Sequence, residues 1–433
     1  MYESVGKRIP RYDGIGHVTG RTIYVSDVKM PGTLTAKVLR SPYHKARIIS
    51  IDTTEAKKLP GVYAVITKDD VPHNLFAMVP DHHVLAEDMV RHKGQAIAAV
   101  AAVNKAVALD ALSKIVVEYE ELEPVIDPEK AVLPDAPKVR PEGNVHLFDG
   151  KSPVRKIRRG DVDKGFAEAD FIVEGTYRTP CQEHAPLEMC SSLSYLDESG
   201  KLVIHSKTQG LYFVMGDLTN VFNLPMNKLK FVGNTIGGSF GKGNSVHTDH
   251  IAGLLTLATG KPVRFALTRE EELLYTVART PWVFKIKDGV RKDGKIVARK
   301  MEILHDCGAY TELGLYATEK NANLAAGANM IENLAIDSQM VYTNKPPSGS
   351  MRGFGVNVGQ YAEQVHIDRV ARACGKTPME IRFINAFREG DKAHVGNELV
   401  AVSTIETLQG VAEIAGIQLD DIYKNLSSKE VEK

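Results

Sequence analysis

Two short glycine-bearing turns hold the residues in this sequence best suited to grip a ligand. The first is Gly237-Gly238-Ser239-Phe240-Gly241, between a strand-like run at 229–232 and a helix-like run from Val246. Glycine there lets the backbone approach a bound group closely and adopt positive φ. A strand–turn–helix setting aims free N–H groups at an anion or another electronegative ligand. The spacing is not that of a dinucleotide fingerprint. Taken alone, the turn is either a ligand cradle or simply a tight bend. The second turn, Ser350-Met351-Arg352-Gly353-Phe354-Gly355, follows the loop-rich approach 344–349. An arginine fixed beside glycines offers a planar donor fork to an oxygen-rich ligand. Phe354 offers a flat wall for a ring, or it simply enters the core.

Other constellations are weaker. His247 and His250 have helical spacing but no evident third ligand, so a polar helix start is expected rather than a metal site. Glu183, His184 and Glu188 have acid/base chemistry, yet read as a hydrogen-bonded turn. Residues 268–272 read as a helix start whose carboxylates suit the dipole. The cysteines Cys181, Cys190, Cys307 and Cys374 have no paired spacing, so no iron–sulfur cluster or zinc ribbon is expected within the chain.

These residues must be positioned by more than one domain, because 433 residues exceed one ordinary unit. Basic and acidic residues balance at 54 each, which argues against a nucleic-acid or membrane-surface binder held by net charge. The densest basic run, 155–159, reads as a solvated loop. No signal-peptide core stands at the start and no apolar stretch is long enough for a membrane span, so cytoplasm is the expected location. Short alternating strands and helices over 13–128 indicate an α+β domain. Residues 129–160, rich in proline and glycine, read as a linker. Residues 161–433 form the second region. Its strands are expected at 171–179, 202–206, 229–232, 262–267, 283–290 and 296–305, and its helices at 211–222, 246–259, 358–374 and 378–386. The charged tail from Ser427 is expected to fray.

Together the turns resemble those of the molybdenum hydroxylases, the xanthine dehydrogenase/aldehyde oxidase family. The resemblance covers nearly the whole chain. Val18-Thr19-Gly20-Arg21, the run 39–46, the run 90–96 and Val117-Glu118-Tyr119-Glu120 resemble the family's N-terminal α/β hammerhead domain. Six ordered markers resemble the first half of its molybdopterin-binding domain: Gln182-Glu183-His184, Thr208-Gln209, the 237–241 turn, 268–271, 306–310 and 351–355.

The resemblance implies residue roles. Gln209 would sit over molybdenum and donate to an oxygen ligand. Gly238, Phe240, Gly241 and Arg352 would contact the cofactor, and Asn244 and Phe354 the substrate. Asn244 stands where xanthine oxidisers have an acid, which points away from xanthine. Lys320 falls near a substrate-binding arginine of purine oxidisers, with spacing too loose to assign it. The absence of cysteine in 347–355 disfavours carbon monoxide oxidation. The catalytic glutamate of full-length relatives is not found in this chain. The pattern resembles the split large subunit of nicotinate dehydrogenase, whose partner supplies the remainder; a truncated chain would read the same.

The implied enzyme is an oxidoreductase hydroxylating an N-heterocyclic or purine substrate, with water as oxygen source. It would carry molybdopterin cytosine dinucleotide, and need a second molybdopterin subunit, an iron–sulfur subunit and an FAD subunit. Aldehyde oxidation, another family chemistry, or a non-catalytic assembly role are the alternatives.

Overall fold

The computed structural model describes residues 3–429; Met1, Tyr2 and residues 430–433 of the charged tail lie outside the described residues. The chain divides into two compact units, each assembled from two separated segments. One comprises Met1–Leu122 and His184–Thr276, the other Glu123–Glu183 and Val277–Lys433.

The first unit is built on a seven-stranded mixed sheet. Its spatial order is Leu229–Gly233, Leu202–Ser206, Ser191–Leu196, Val263–Ala266, Leu34–Arg40, Ala96–Ala102 and Val62–Ile66. The strand Ala96–Ala102 shows why the sequence folds this way. Its run of small apolar residues is unbroken because both faces are covered. Ala99 and Ala101 join the core beneath the helices Leu211–Phe222 and Asp249–Thr259. Ala98, Val100 and Ala102 face the core formed with Ala108 and Ala111 of the helix Lys105–Ser113. Two further strands, Ala46–Asp52 and Val116–Glu121, pair antiparallel, with Met89–Val90 at the edge.

The second unit is a five-stranded sheet in the order Phe171–Thr179, Trp282–Val290, Ile296–Asp306, Asn333–Val341 and Arg155–Arg159. Trp282, Phe284, Ile286, Met301 and Ile336 pack with Val358, Ala362, Ile367 and Val370 of the long helix Val356–Cys374. A fully buried ionic group sits within this layer. Arg299 makes a two-pronged contact with Asp288 at 2.8 and 2.7 Å and reaches Glu363 at 3.2 Å. Glu363 lies on the long helix, so the charge pair ties that helix to the sheet.

The basic run 155–159 is a strand, not a solvated loop. It pairs antiparallel with Asn333–Val341, and only Ile157 is buried. With one apolar residue in five, the period-two pattern of a strand could not be read. The stretch 129–160 therefore contributes this edge strand, and the helix Pro128–Ala131 begins at its border. Among the described residues no helix is long and apolar enough to cross a membrane.

Several histidines are buried in the neutral form. Burial pulls His92 and His250 of the first unit down to about 3. In the second unit burial pulls His305 to about 3, and His366 and His394 to about 4. An unfolded chain protonates these side chains below about pH 6.5, whereas the fold resists. Stability should thus be full above about pH 6.5 and fall as the pH drops toward about 4. Denaturant midpoints measured across that window should decline; a flat profile would contradict the burial of neutral imidazoles.

Candidate active site

Parallel strands position the first glycine turn. Leu202–Ser206 and Leu229–Gly233 run parallel, so both carboxyl ends open on the same edge of the sheet. The first delivers Lys207-Thr208-Gln209-Gly210 before the helix Leu211–Phe222, and the second delivers Asn234 to Gly241. Open sheets bind ligands at such carboxyl ends.

The two deliveries are laced together. The Gln209 N–H donates to the Gly243 carbonyl at 3.1 Å, and the Thr208 hydroxyl donates to the same oxygen at 2.8 Å. The Gly241 N–H donates to Gln209 Oε1 at 3.0 Å. This last bond orients the amide: its oxygen is engaged by the turn, which leaves Nε2 as the outward donor of an exposed side chain. Glycine is required at 243 for this closeness, because a Cβ there would stand 2.9 Å from the Lys207 carbonyl oxygen and 3.0 Å from the Gln209 nitrogen. Phe240 takes φ 54° and Gly241 φ 111°. A phenylalanine in the left-handed region is strained, and such strain concentrates at ligand clamps. Its ring is half exposed.

A second loop braces the turn. Glu188 Oε2 accepts from the Gly237 N–H at 2.7 Å, and the Glu188 N–H donates to the Gly237 carbonyl at 3.1 Å. Burial pushes the Glu188 carboxyl upward, opposed by the Gly237 hydrogen bond. Glu188 thus ties its loop to the glycine turn by two hydrogen bonds. Asn244 is partly buried beside Gly210, whose Cβ would meet its Oδ1 at 3.0 Å.

The second glycine turn lies in the other unit and repeats the backbone pattern. Phe354 takes φ 47°, between Gly353 at 91° and Gly355 at 88°. Gly355 caps the helix Val356–Cys374, and a Cβ there would stand 2.4 Å from the Ala317 carbonyl oxygen. Asn321 Nδ2 donates to the Gly355 carbonyl at 2.6 Å. The guanidinium of Arg279 holds the Arg352 carbonyl and donates to Gln182 Oε1 at 3.3 Å. Burial lowers its pKa. The Arg352 side chain itself is exposed. The Phe354 ring lies 6.3 Å from that of Tyr316, and Lys320 Nζ stands 5.9 Å from its centroid.

Gln209, Gly238, Phe240, Gly241 and Asn244 are thus brought together in one unit, and Arg352 and Phe354 in the other. Sequence reasoning missed Arg279, whose partners lie about the turn but far away in the chain, and Lys242, which is fully buried. His247 Nε2 bonds the Lys242 carbonyl at 3.1 Å, and the His250 ring packs 5.2 Å from Phe76. Among the described residues no group of three or more His, Cys, Asp or Glu is arranged to hold a metal ion. The outward amide suits a group with oxygen ligands.

The close approach at Gly243 gives a direct check. Gly243→Ala forces a methyl against two backbone atoms, and overpacking of this kind costs about 1–3 kcal/mol. A denaturation midpoint equal to that of the native chain would show that the two loops are not in contact.

Comparison with known proteins bears on both units. The molybdopterin cofactor-binding domain family matches residues 145–386, and the aldehyde oxidase and xanthine dehydrogenase a/b hammerhead domain family matches residues 19–123. The chain is 38% identical over 385 residues to a probable xanthine dehydrogenase subunit of Bacillus subtilis, covering 88% of this chain and 51% of that one. It is 34% identical over 417 residues to the nicotinate dehydrogenase large molybdopterin subunit of Eubacterium barkeri, covering 96% and 97%. The structure is similar to that of the aldehyde oxidoreductase from Desulfovibrio gigas, with a TM-score of 0.89 and 30% identity, over 95% of this chain and 47% of that one. The chain therefore spans about half the length of the first and third relatives and nearly all of the second.

Proposed function

The chain belongs to the aldehyde oxidase and xanthine dehydrogenase family of molybdopterin-binding proteins, and from that premise we propose that it is the large molybdopterin subunit of a hydroxylase acting on a nicotinate-like N-heterocycle. The observation that carries the substrate class is the pairing of the Phe354 ring with the Lys320 ammonium at 5.9 Å. A cation beside an aromatic wall favours a carboxylated heteroaromatic over a neutral aldehyde. Similarity along nearly the whole nicotinate dehydrogenase subunit supports the same reading.

In this reading Gln209 Nε2 would donate a hydrogen bond to the bound molybdenum cofactor. The backbone of Gly238, Phe240 and Gly241 would hold the cofactor, as would the turn that carries Arg352. Asn244 supplies a neutral amide to the substrate, where an acid would select purines. A bound molybdopterin cytosine dinucleotide would supply the redox chemistry, with water as the oxygen source; this chain would supply orientation and hydrogen bonds. The general base would belong to a second molybdopterin subunit, and iron–sulfur and FAD subunits in the cytoplasm would accept the electrons.

The test is purification of the assembled complex, metal analysis, and dye reduction with nicotinate. Molybdenum with nicotinate-dependent turnover supports the proposal, and a metal-free complex defeats it. Lys320→Ala should raise the KM for nicotinate about tenfold, a loss of about 1.4 kcal/mol, with a smaller change for an uncharged pyridine. Equal effects on both substrates would remove Lys320 from carboxylate recognition.

A further inference from the structure

Directly after the first turn stands a lysine that the proposed function does not use. Lys242 is fully buried, as is Glu272, its partner at 3.4 Å. Lys242 Nζ also donates to the Thr276 hydroxyl at 2.6 Å, and that hydroxyl donates to the Glu272 carbonyl at 2.6 Å. Both partners belong to one helix and its cap: the helix is Arg269–Tyr275, its start fixed by the capping box of Thr268 and Glu271, and Thr276 closes it. Cys190 Sγ, its thiol pushed up to about 12 by burial and so protonated, lies 3.9 Å from Glu272 Oε1. Arg269 Nη1 stands 3.8 Å from the other carboxylate oxygen. The lysine's backbone is equally fixed. Its N–H donates to the Ser239 carbonyl at 3.0 Å, and its own carbonyl accepts from Ser245 at 3.2 Å and from His247 at 3.1 Å.

A buried lysine–glutamate pair is a poor way to gain stability. Desolvation offsets most of the attraction, and an apolar pair of similar size often serves as well or better. What the pair does supply is direction: a cation with two fixed acceptors cannot swing as a hydrophobic side chain can. The two residues before Lys242, Phe240 and Gly241, both take positive φ, as does Gly238. Such a conformation persists only where its surroundings over-determine it. The Gly241 N–H in turn orients the Gln209 amide at 3.0 Å.

We infer that Lys242, anchored on Glu272 and Thr276, is a positioning residue for the cofactor site, acting through Gly241 to aim the Gln209 donor. This rests on the function proposed above. A second helix thereby sets the geometry of a turn it does not belong to. The lysine is fully buried and would act on the cofactor only through the bend.

Two variants of the assembled complex test this. Lys242→Met with Glu272→Met removes both charges at similar volume and should fold with a thermal midpoint close to the native one. It should hold several-fold less molybdenum per chain, and the remaining metal should give a shifted Mo(V) electron paramagnetic resonance signal. Thr276→Val removes one acceptor without changing charge. It should keep the fold and most of the metal while shifting the same signal, so it decides the matter if the double variant fails to fold. Native metal content with an unshifted signal in either folded variant overturns the positioning role. A native complex without molybdenum defeats the proposed function as well, which separates the two failures.

Discussion

The candidate site depends on one hydrogen bond, from the Gly241 N–H to Gln209 Oε1. An amide side chain has a donor end and an acceptor end of nearly equal size, and only its neighbours decide which faces a ligand. Here the backbone of the glycine turn engages the acceptor end. The donor end is left for a partner with lone pairs. Parallel pairing of Leu202–Ser206 with Leu229–Gly233 makes this possible, because it brings two chain segments far apart in sequence to the same sheet edge. The glycine at 243 then allows contact at backbone distance.

Each unit also buries ionic groups. In the first, Lys242 and Glu272 tie the turn to a neighbouring helix. In the second, Arg299 joins Asp288 and Glu363 beneath the helix that begins at Gly355. Ionic groups in such places are costly to desolvate and contribute little net stability. Their value lies in restricting the fold to one arrangement, which a site requiring sub-ångström placement needs more than added stability.

Much of the fold was legible because its elements carry local patterns. The helix Leu211–Phe222 and the strands at 171–179 and 202–206 were readable from periodicity and breakers. The strand Ser191–Leu196 was not, because three of its six residues are serines. Ser192 and Ser194 are buried, yet satisfied by Asp249 at 2.7 Å and by the Ala252 carbonyl at 2.7 Å. Those partners lie 57 and 58 residues away, beyond any local pattern. Likewise Lys242, between two glycines, reads as solvated until Glu272 and Thr276 are brought against it. The residue types of the turns were legible, as was their likeness to a family. The orientation of the Gln209 amide was not, since it is set by a backbone donor 32 positions later.

The central claim is that the Gln209 amide, held by Gly241, faces a molybdenum centre. Anomalous diffraction at the molybdenum edge, from crystals of the assembled complex, tests it most directly. The account predicts one strong peak beside Gln209 Nε2, separated from it by a single oxygen ligand. A peak remote from residues 209 and 241, or no peak in an active complex, would contradict it.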